Sequence, residues 1–401
     1  MRIGFVSNYS ATGAGEVTRN LVKILSKWNY ELSVYARNEG GNLLSTPADI
    51  DCRIWKAKKT FRPLPKSVNL SDYKKWLKDF NPDILIYNEQ QSVQPILVSR
   101  EMGIPSIAYV DYYKENTVDS FRLYDGLVCV TKRHQSVFNW HKNSKYFSWG
   151  SDSSLFSLSS KTPEFDFYHS TGNDPYRKGT DLLLESLKYL PDETKTLIHS
   201  IQNLEELLPN YQELIKFNIN KGKLTLLNGV VEIPGHYDKA KFYVYPARLD
   251  GLGLTVTEAL MSGTSVIVTD AAPMNEFTTS FGFKVPIAKS WARADAYYWP
   301  MSEVNPSDLA TTMISSLEKY MDSDREACFK MAKDNFNIFN NFSNFNIFLL
   351  NTLETAPTYN LTKEEMEILG VEKIKIRYRN SMTFILGVLH FLKRLFSSIN
   401  V

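Results

Sequence analysis

Short apolar runs alternate with amphipathic helical periods along most of this chain, and that alternation points to a parallel α/β architecture. Residues 3–9 (IGFVSNY) read as a buried first strand, and a polar, glycine-containing turn follows at 10–15. Residues 16–28 then place Val17, Leu21, Ile24, Leu25 and Trp28 on one helical face. Residues 31–36 return as a strand. A βαβ opening of this kind implies parallel strands joined by right-handed crossovers. Short apolar strands continue at 83–87, 104–110 and 126–130.

The second half repeats the pattern. Strands are expected at 165–171, 195–200, 223–228, 241–246 and 265–270, with helices at 179–190, 203–217, 307–320 and 325–354. Near Trp149, Gly150, Ser151 and Asp152 the chain becomes serine-rich, which sets a boundary there. The expected organisation is a first α/β domain over 1–152, a second over 153–355 with closing helices, and a tail over 356–401. Both halves read as doubly wound sheets. Such sheets bind ligands outside the carboxyl ends of their strands.

With 401 residues, 43% hydrophobic and 22% charged, the chain is long and apolar enough for two soluble domains with sizeable cores. A formal net charge of +2 argues against a general polyanion binder, so no nucleic-acid partner is expected. Three scattered cysteines, Cys52, Cys129 and Cys328, suit reduced thiols in a cytosol-like compartment. No cysteine pair has zinc spacing and no HExxH motif occurs, so no metal is expected. His134 and His141 read as packing or surface residues. The opening MRIGFVSNYS lacks the features of a secretory signal and reads as a strand, which supports a cytoplasmic expectation.

The densest chemistry lies in 245–276, YPARLDGLGLTVTEALMSGTSVIVTDAAPMNE. A strand end, a glycine turn, two acids with seven residues between them, a helix and a second buried strand follow one another. Asp250 precedes Gly251 and Gly253, where backbone can approach a ligand closely. Glu258 is expected in the first turn of the next helix, whose start offers N–H groups to a phosphate. Hydroxyl-binding acids beside an anion site suit a sugar nucleotide. The ordinary alternatives are a capping box made by Thr255 and Glu258 and a simple turn at Asp250. The ordered co-occurrence of all parts favours the ligand reading.

This stretch resembles the signature of retaining glycosyltransferases of family 4, whose GT-B fold has two Rossmann-like doubly wound domains facing a cleft, plus C-terminal helices. The resemblance rests on Pro246, Asp250-Gly251-Leu252-Gly253, Glu258-Ala259, Gly263-Thr264-Ser265-Val266-Ile267 and Glu276. Asp250 replaces a glutamate, one methylene longer, and Ser265 replaces a proline. Gly150, Asp152 and Phe156 also occupy matching places in the interdomain linker. The segment 172–181 resembles the family's phosphate loop, with Lys178 on the family lysine and Asn173 where arginine is usual; Arg177 is the candidate to supply the missing guanidinium. The resemblance implies that Lys178 and Arg177 hold the diphosphate and Asp250 the donor sugar. It implies that Glu258 holds the ribose, assisted by N–H groups near Gly253 and Leu254, with Gly251, Leu252 and Thr255 in the same donor site. Arg248 is a third candidate contact to phosphate or sugar, or else a partner of a nearby acid. Counting from Pro105 places Asp111 where the family often has a histidine touching the donor sugar; a strand-end turn is the alternative.

Gly13, Ala14 and Gly15 follow a strand and open a helix. A nicotinamide site is disfavoured there, because Thr18 stands in place of a third glycine and Ala36-Arg37 ends the second strand without an acid. In the family a similar turn lies beside donor phosphates and acceptor; a plain tight turn is the alternative. The implied function is metal-independent, retaining transfer of a sugar from a nucleotide sugar, without a further cofactor, to a glycan, lipid-linked or protein-linked hydroxyl. A GT-B nucleotide-sugar epimerase and a non-catalytic sugar-nucleotide or membrane-binding module are the rivals. The family's last helices often brace the first domain, a role open to the run NFNIFNNFSNFNIF. The tail 371–401 carries Lys373, Lys375, Arg377, Arg379, Lys393 and Arg394 among apolar residues. It reads as a peripheral membrane-surface anchor, with a terminal helix packed on protein as the alternative.

Overall fold

A computed structural model describes residues 1–10, 13–37, 43–44, 50–58, 68–90, 92–172, 174–231 and 233–356. The first sheet has seven strands: β1 (Arg2–Asn8), β2 (Glu31–Arg37), β3 (Cys52–Lys56), β4 (Ile84–Asn88), β5 (Ser106–Val110), β6 (Gly126–Cys129) and β7 (Ser144–Tyr146). Their order is β3-β2-β1-β4-β5-β6-β7, and β1 pairs parallel with both β2 and β4. The second sheet contains β8 (Phe165–Ser170), β9 (Thr196–Ser200), β10 (Leu224–Asn228), β11 (Ala240–Tyr245), β12 (Ser265–Thr269) and β13 (Gly282–Val285), in the order β10-β9-β8-β11-β12-β13. An antiparallel pair, β14 (Ile287–Trp291) with β15 (Met301–Val304), follows. Both large sheets reverse their winding beside the first strand of each, between β1 and β4 and between β8 and β11. Those two positions are where an open α/β sheet offers a ligand crevice.

The described chain forms two compact units. One contains Met1–Ala108 and Asn116–Gly126, with the end of the last helix from Asn351. The other contains Tyr109–Glu115 and Leu127–Leu350. In the first unit β1 is buried along nearly its whole length, as a strand covered on both faces must be. The helix Gly13–Ser26 covers it with Val17, Leu21, Ile24 and Leu25. This helix starts within the expected turn and ends before Trp28. Gly15 is required by space: a Cβ there would lie 1.9 Å from the Ser10 carbonyl oxygen. Thr18 pins the switch point, with its hydroxyl 2.6 Å from Ser7 Oγ and accepting from Asn88 Nδ2 at 3.0 Å. Arg37 closes the end of β2 by donating to the carbonyls of Asn88 and Glu89.

The second unit has its core between the sheet and flanking helices, where Phe167, Leu183, Leu187, Phe242, Val244, Ile267, Leu309 and Met313 are buried together. The helix expected over 325–354 is instead three helices, Asp324–Phe336, Ile338–Asn341 and Phe345–Thr355. The chain is extended at Asn337 because residues 336–338 exchange backbone hydrogen bonds with Ser151: its N–H donates to Phe336 O, and its carbonyl accepts from Ile338 N–H. Asn337 also caps the next helix, its side chain accepting from Phe339 N–H at 2.9 Å. In the asparagine- and phenylalanine-rich run, Phe336, Phe342, Phe345 and Phe348 point inward while Asn340 and Asn344 are exposed. Phe342 stacks on Phe147 at 5.1 Å and meets Trp149 edge-on at 5.6 Å. The run thus packs on the segment that follows β7. Truncation of a buried aromatic costs about 3–5 kcal/mol. Phe342→Ala is therefore expected to lower the urea-unfolding free energy by that amount, whereas Asn340→Ala, at an exposed helical position, changes it by less than about 0.5 kcal/mol.

Candidate active site

The neighbouring carboxyl ends of β8 and β11 bring two loops together. The loop after β8 leads through Arg177 and Lys178 into the helix Thr180–Ser186, and the loop after β11 leads through Arg248 and Asp250 into the helix Leu254–Met261. A backbone bond from Arg248 N–H to Arg177 O, 2.8 Å, joins the loops. Gly179 lets them approach: its φ is +73°, and a Cβ would lie 2.0 Å from Pro246 O. The residue before it, Lys178, therefore has its side chain delivered to the end of β11.

There the Lys178 ammonium lies 2.6 Å from Asp250 Oδ2, with the two side chains only 12% and 16% exposed. Tyr245, the last residue of β11, donates its hydroxyl to the same Asp250 oxygen and accepts from Lys178. Asp250 Oδ1 accepts from Gly251 N–H at 2.6 Å. Arg177 Nη1 lies 3.7 Å from Oδ1 and donates to Leu249 O. Burial alone would raise the Asp250 pKa, but the charges of Lys178 and Arg177 outweigh it and hold the carboxyl below the usual range. Burial pulls the Lys178 pKa down against the opposing attraction of Asp250. Glu258 is within electrostatic reach of Lys178. Burial raises its pKa, opposed by a 2.7 Å hydrogen bond from Tyr237 and by the lysine charge. The arrangement presents cations and carboxylates side by side at a sheet switch point.

Several expected details differ. The helix carrying Glu258 begins at Leu254 with Gly253 as its cap at φ +72°, so Glu258 sits in the second turn rather than the first. The cap is backbone only, and no Thr255–Glu258 capping box forms. Gly251 is exposed, while Leu252, Leu254 and Thr255 are half-buried around the helix start. Arg248 pairs with nearby acids, the second of its two sequence readings. It is 2% exposed, and its guanidinium meets both oxygens of Asp181 at 2.7 Å and Glu303 at 2.6 Å. It also donates to Tyr176 O. These bonds engage all its nitrogens and tie β15 to the helix Thr180–Ser186.

Asp111 follows β5 directly, and its carbonyl accepts from the Tyr297 hydroxyl at 3.1 Å. The Tyr297 hydroxyl lies 3.5 Å from Arg133 Nη2, which donates to Asp250 O at 2.6 Å. Arg133 Nη1 also donates to Ala272 O at 2.6 Å. Glu276 accepts from Lys132 and Arg133 backbone N–H groups, capping the helix Lys132–Phe138. Gly13, Ala14 and Gly15 belong to the other compact unit, at the start of its first helix. Asn173 and the tail 371–401 lie outside the described residues. Tyr245, Tyr237 and Arg133 bond to Asp250 or Glu258 and are members of this cluster that sequence reasoning missed. Tyr245 and Tyr243 look alike on an apolar strand; Asp250, five residues past Tyr245, is the one available signal.

Residues 159–290 match the model of a family described as Glycosyl transferases group 1. That span includes Arg177, Lys178, Asp250 and Glu258. A search of curated proteins finds no match for the chain. Among solved structures, a glycosyltransferase from Rickettsia africae is similar with a TM-score of 0.69 at 15% identity, covering 89% of this chain and 99% of its own. A sucrose-phosphate synthase from Thermosynechococcus elongatus gives 0.65 at 12%, covering 88% and 99%. HepE of Anabaena, solved with UDP and glucose, gives 0.64 at 14%, covering 87% and 99%. The two Rossmann-like parallel sheets with closing helices are thus the GT-B fold of these glycosyltransferases.

Removing one member of a buried ion pair leaves the other charge unmatched, at a cost of about 3–5 kcal/mol. Lys178→Met and Asp250→Asn are each expected to lower stability by about 3 kcal/mol. Their double mutant should lose less than the sum by at least about 1 kcal/mol, read from urea-unfolding curves. Strict additivity would contradict the coupling.

Proposed function

We propose that this chain is a retaining glycosyltransferase that moves a sugar from a nucleotide-sugar donor to a hydroxyl of a glycan, lipid-linked or protein-linked acceptor. The observation that carries the reading is the meeting of Lys178, Arg177, Asp250 and Glu258 at the β8–β11 switch point. The Glycosyl transferases group 1 match over the same residues supports it, as does the likeness to a protein solved with UDP and glucose.

In this reading the donor enters between Lys178 and Asp250. Lys178 and Arg177 turn to the diphosphate, the N–H groups at Gly253 and Leu254 support it, and the two carboxylates accept from hydroxyls. Glu258 holds the ribose and Asp250 the transferred sugar, with Asp111 a further contact to that sugar. Gly13, Ala14 and Gly15 line the acceptor side. The bond between the anomeric carbon and the diphosphate oxygen breaks with its electron pair on the leaving group. The acceptor oxygen bonds to the same face of that carbon, and its proton passes to the departing phosphate. Catalysis is then positioning plus stabilisation of the leaving charge, and the side chains above carry that charge without a metal.

A panel of sugar nucleotides read by thermal shift tests the reading: at least one should stabilise the protein, and Glu258→Ala should weaken the effect. An ionised Glu258 accepts hydroxyl donors, and its pKa is raised. Donor affinity should therefore fall on acidification at a higher pH than an ordinary glutamate would give, and Glu258→Gln should abolish that limb. A panel without a binder refutes the enzyme reading. Conversion of a labelled donor without any acceptor would indicate an epimerase instead.

Among the described residues no helix is long and apolar enough to cross a membrane. The basic tail 371–401 is proposed to hold the cytoplasmic enzyme at a membrane surface. Flotation with anionic liposomes should fall when 371–401 is removed; equal flotation would refute the anchor.

A further inference from the structure

We infer that the Tyr245 hydroxyl is a positioning group that adapts this site to aspartate at position 250. This role rests on the glycosyl-transfer reading above. The hydroxyl, Lys178 Nζ and Asp250 Oδ2 form a closed triangle: lysine donates to the phenol and to the carboxylate, and the phenol donates to the carboxylate. The Lys178 ammonium also lies 4.8 Å from the Tyr245 ring centre. Stacking on Tyr243 at 5.7 Å helps to hold the ring, and with it the hydroxyl oxygen. Tyr245 is 0% exposed, so its ring is fixed by packing and its hydroxyl has a defined place.

The physical consequence concerns what happens when an anion draws Lys178 away. Asp250 Oδ2 then loses its cation but keeps the phenol, while Oδ1 keeps Gly251 N–H. The carboxylate stays aimed through the exchange. Burial first, and the Asp250 charge next, push the Tyr245 pKa well up, so the phenol remains a donor throughout. The hydroxyl occupies the space beside the short side chain. A glutamate in place of Asp250 adds a methylene that drives the carboxylate into that oxygen. Removing the oxygen should relieve the clash.

The test measures steady-state turnover of the sugar nucleotide that the wild-type chain consumes, in four proteins. Tyr245→Phe keeps the ring and is expected to lower kcat at least fivefold with donor KM within threefold. Asp250→Glu alone is expected to lose at least tenfold. The double variant should exceed Asp250→Glu by at least fivefold, a reversal that loss of packing would not produce. A Tyr245→Phe effect below fivefold, or a double variant no better than Asp250→Glu, overturns the role. Full activity in Asp250→Glu overturns it too, and that arm leaves Tyr245 intact should Tyr245→Phe fail to fold. A wild-type chain inert toward every sugar nucleotide overturns the glycosyl-transfer reading and this role together. An active wild type matched by Tyr245→Phe overturns the role alone.

Discussion

The Lys178–Asp250 ion pair is the interaction around which the second sheet's ligand end is organised. Two charges that are 12% and 16% exposed cannot persist apart, so each fixes the other's loop. The pair joins the ends of β8 and β11, neighbours in space although Lys178 and Asp250 are 72 residues apart in the chain. Its formation depends on Gly179, whose left-handed backbone lets the first loop pass against Pro246. Tyr245 completes the coordination from inside the strand. The result is a buried polar cluster in which lysine, phenol and carboxylate bond one another.

Around that cluster lies a frame of buried arginines. Arg248 binds Asp181 and Glu303 and so holds the loop after β11 against a helix and against the β14–β15 pair. Arg133 reaches Asp250 O and Ala272 O from the helix Lys132–Phe138, whose start Glu276 caps. Planar guanidinium groups suit this work because one side chain can serve several carbonyl or carboxylate oxygens at once. Two kinds of cation thus lie in one short region: Arg248 meets Asp181 and Glu303, whereas Lys178 and Arg177 meet Asp250.

The asparagine- and phenylalanine-rich helices show how tertiary packing edits a local pattern. A long helix would have kept the backbone of 336–338 for itself. Those residues instead bond to Ser151, and Gly150 leaves no room for a side chain, since a Cβ would lie 1.9 Å from Phe336 O. Asn337 caps the restart, and the phenylalanines close on Phe147 and Trp149.

Much was legible from the sequence because it depends on local periodicity. The core strands of both sheets, the opening βαβ unit and the pairing of a glycine turn with two acids are written in residue spacing. The short edge strands β3, β7 and β13 and the β14–β15 pair were not, because half-exposed strands of three to five residues carry no clear alternation. Spacing also left Arg248 ambiguous between ligand and brace, and it placed Glu258 a turn too early because backbone alone caps its helix at Gly253. It gave no reason to separate Tyr245 from Tyr243. Residue order thus determined the α/β architecture and the candidate chemistry. Only the folded chain decided which charges meet, since meeting depends on strand order and close backbone approach, which bring distant residues together.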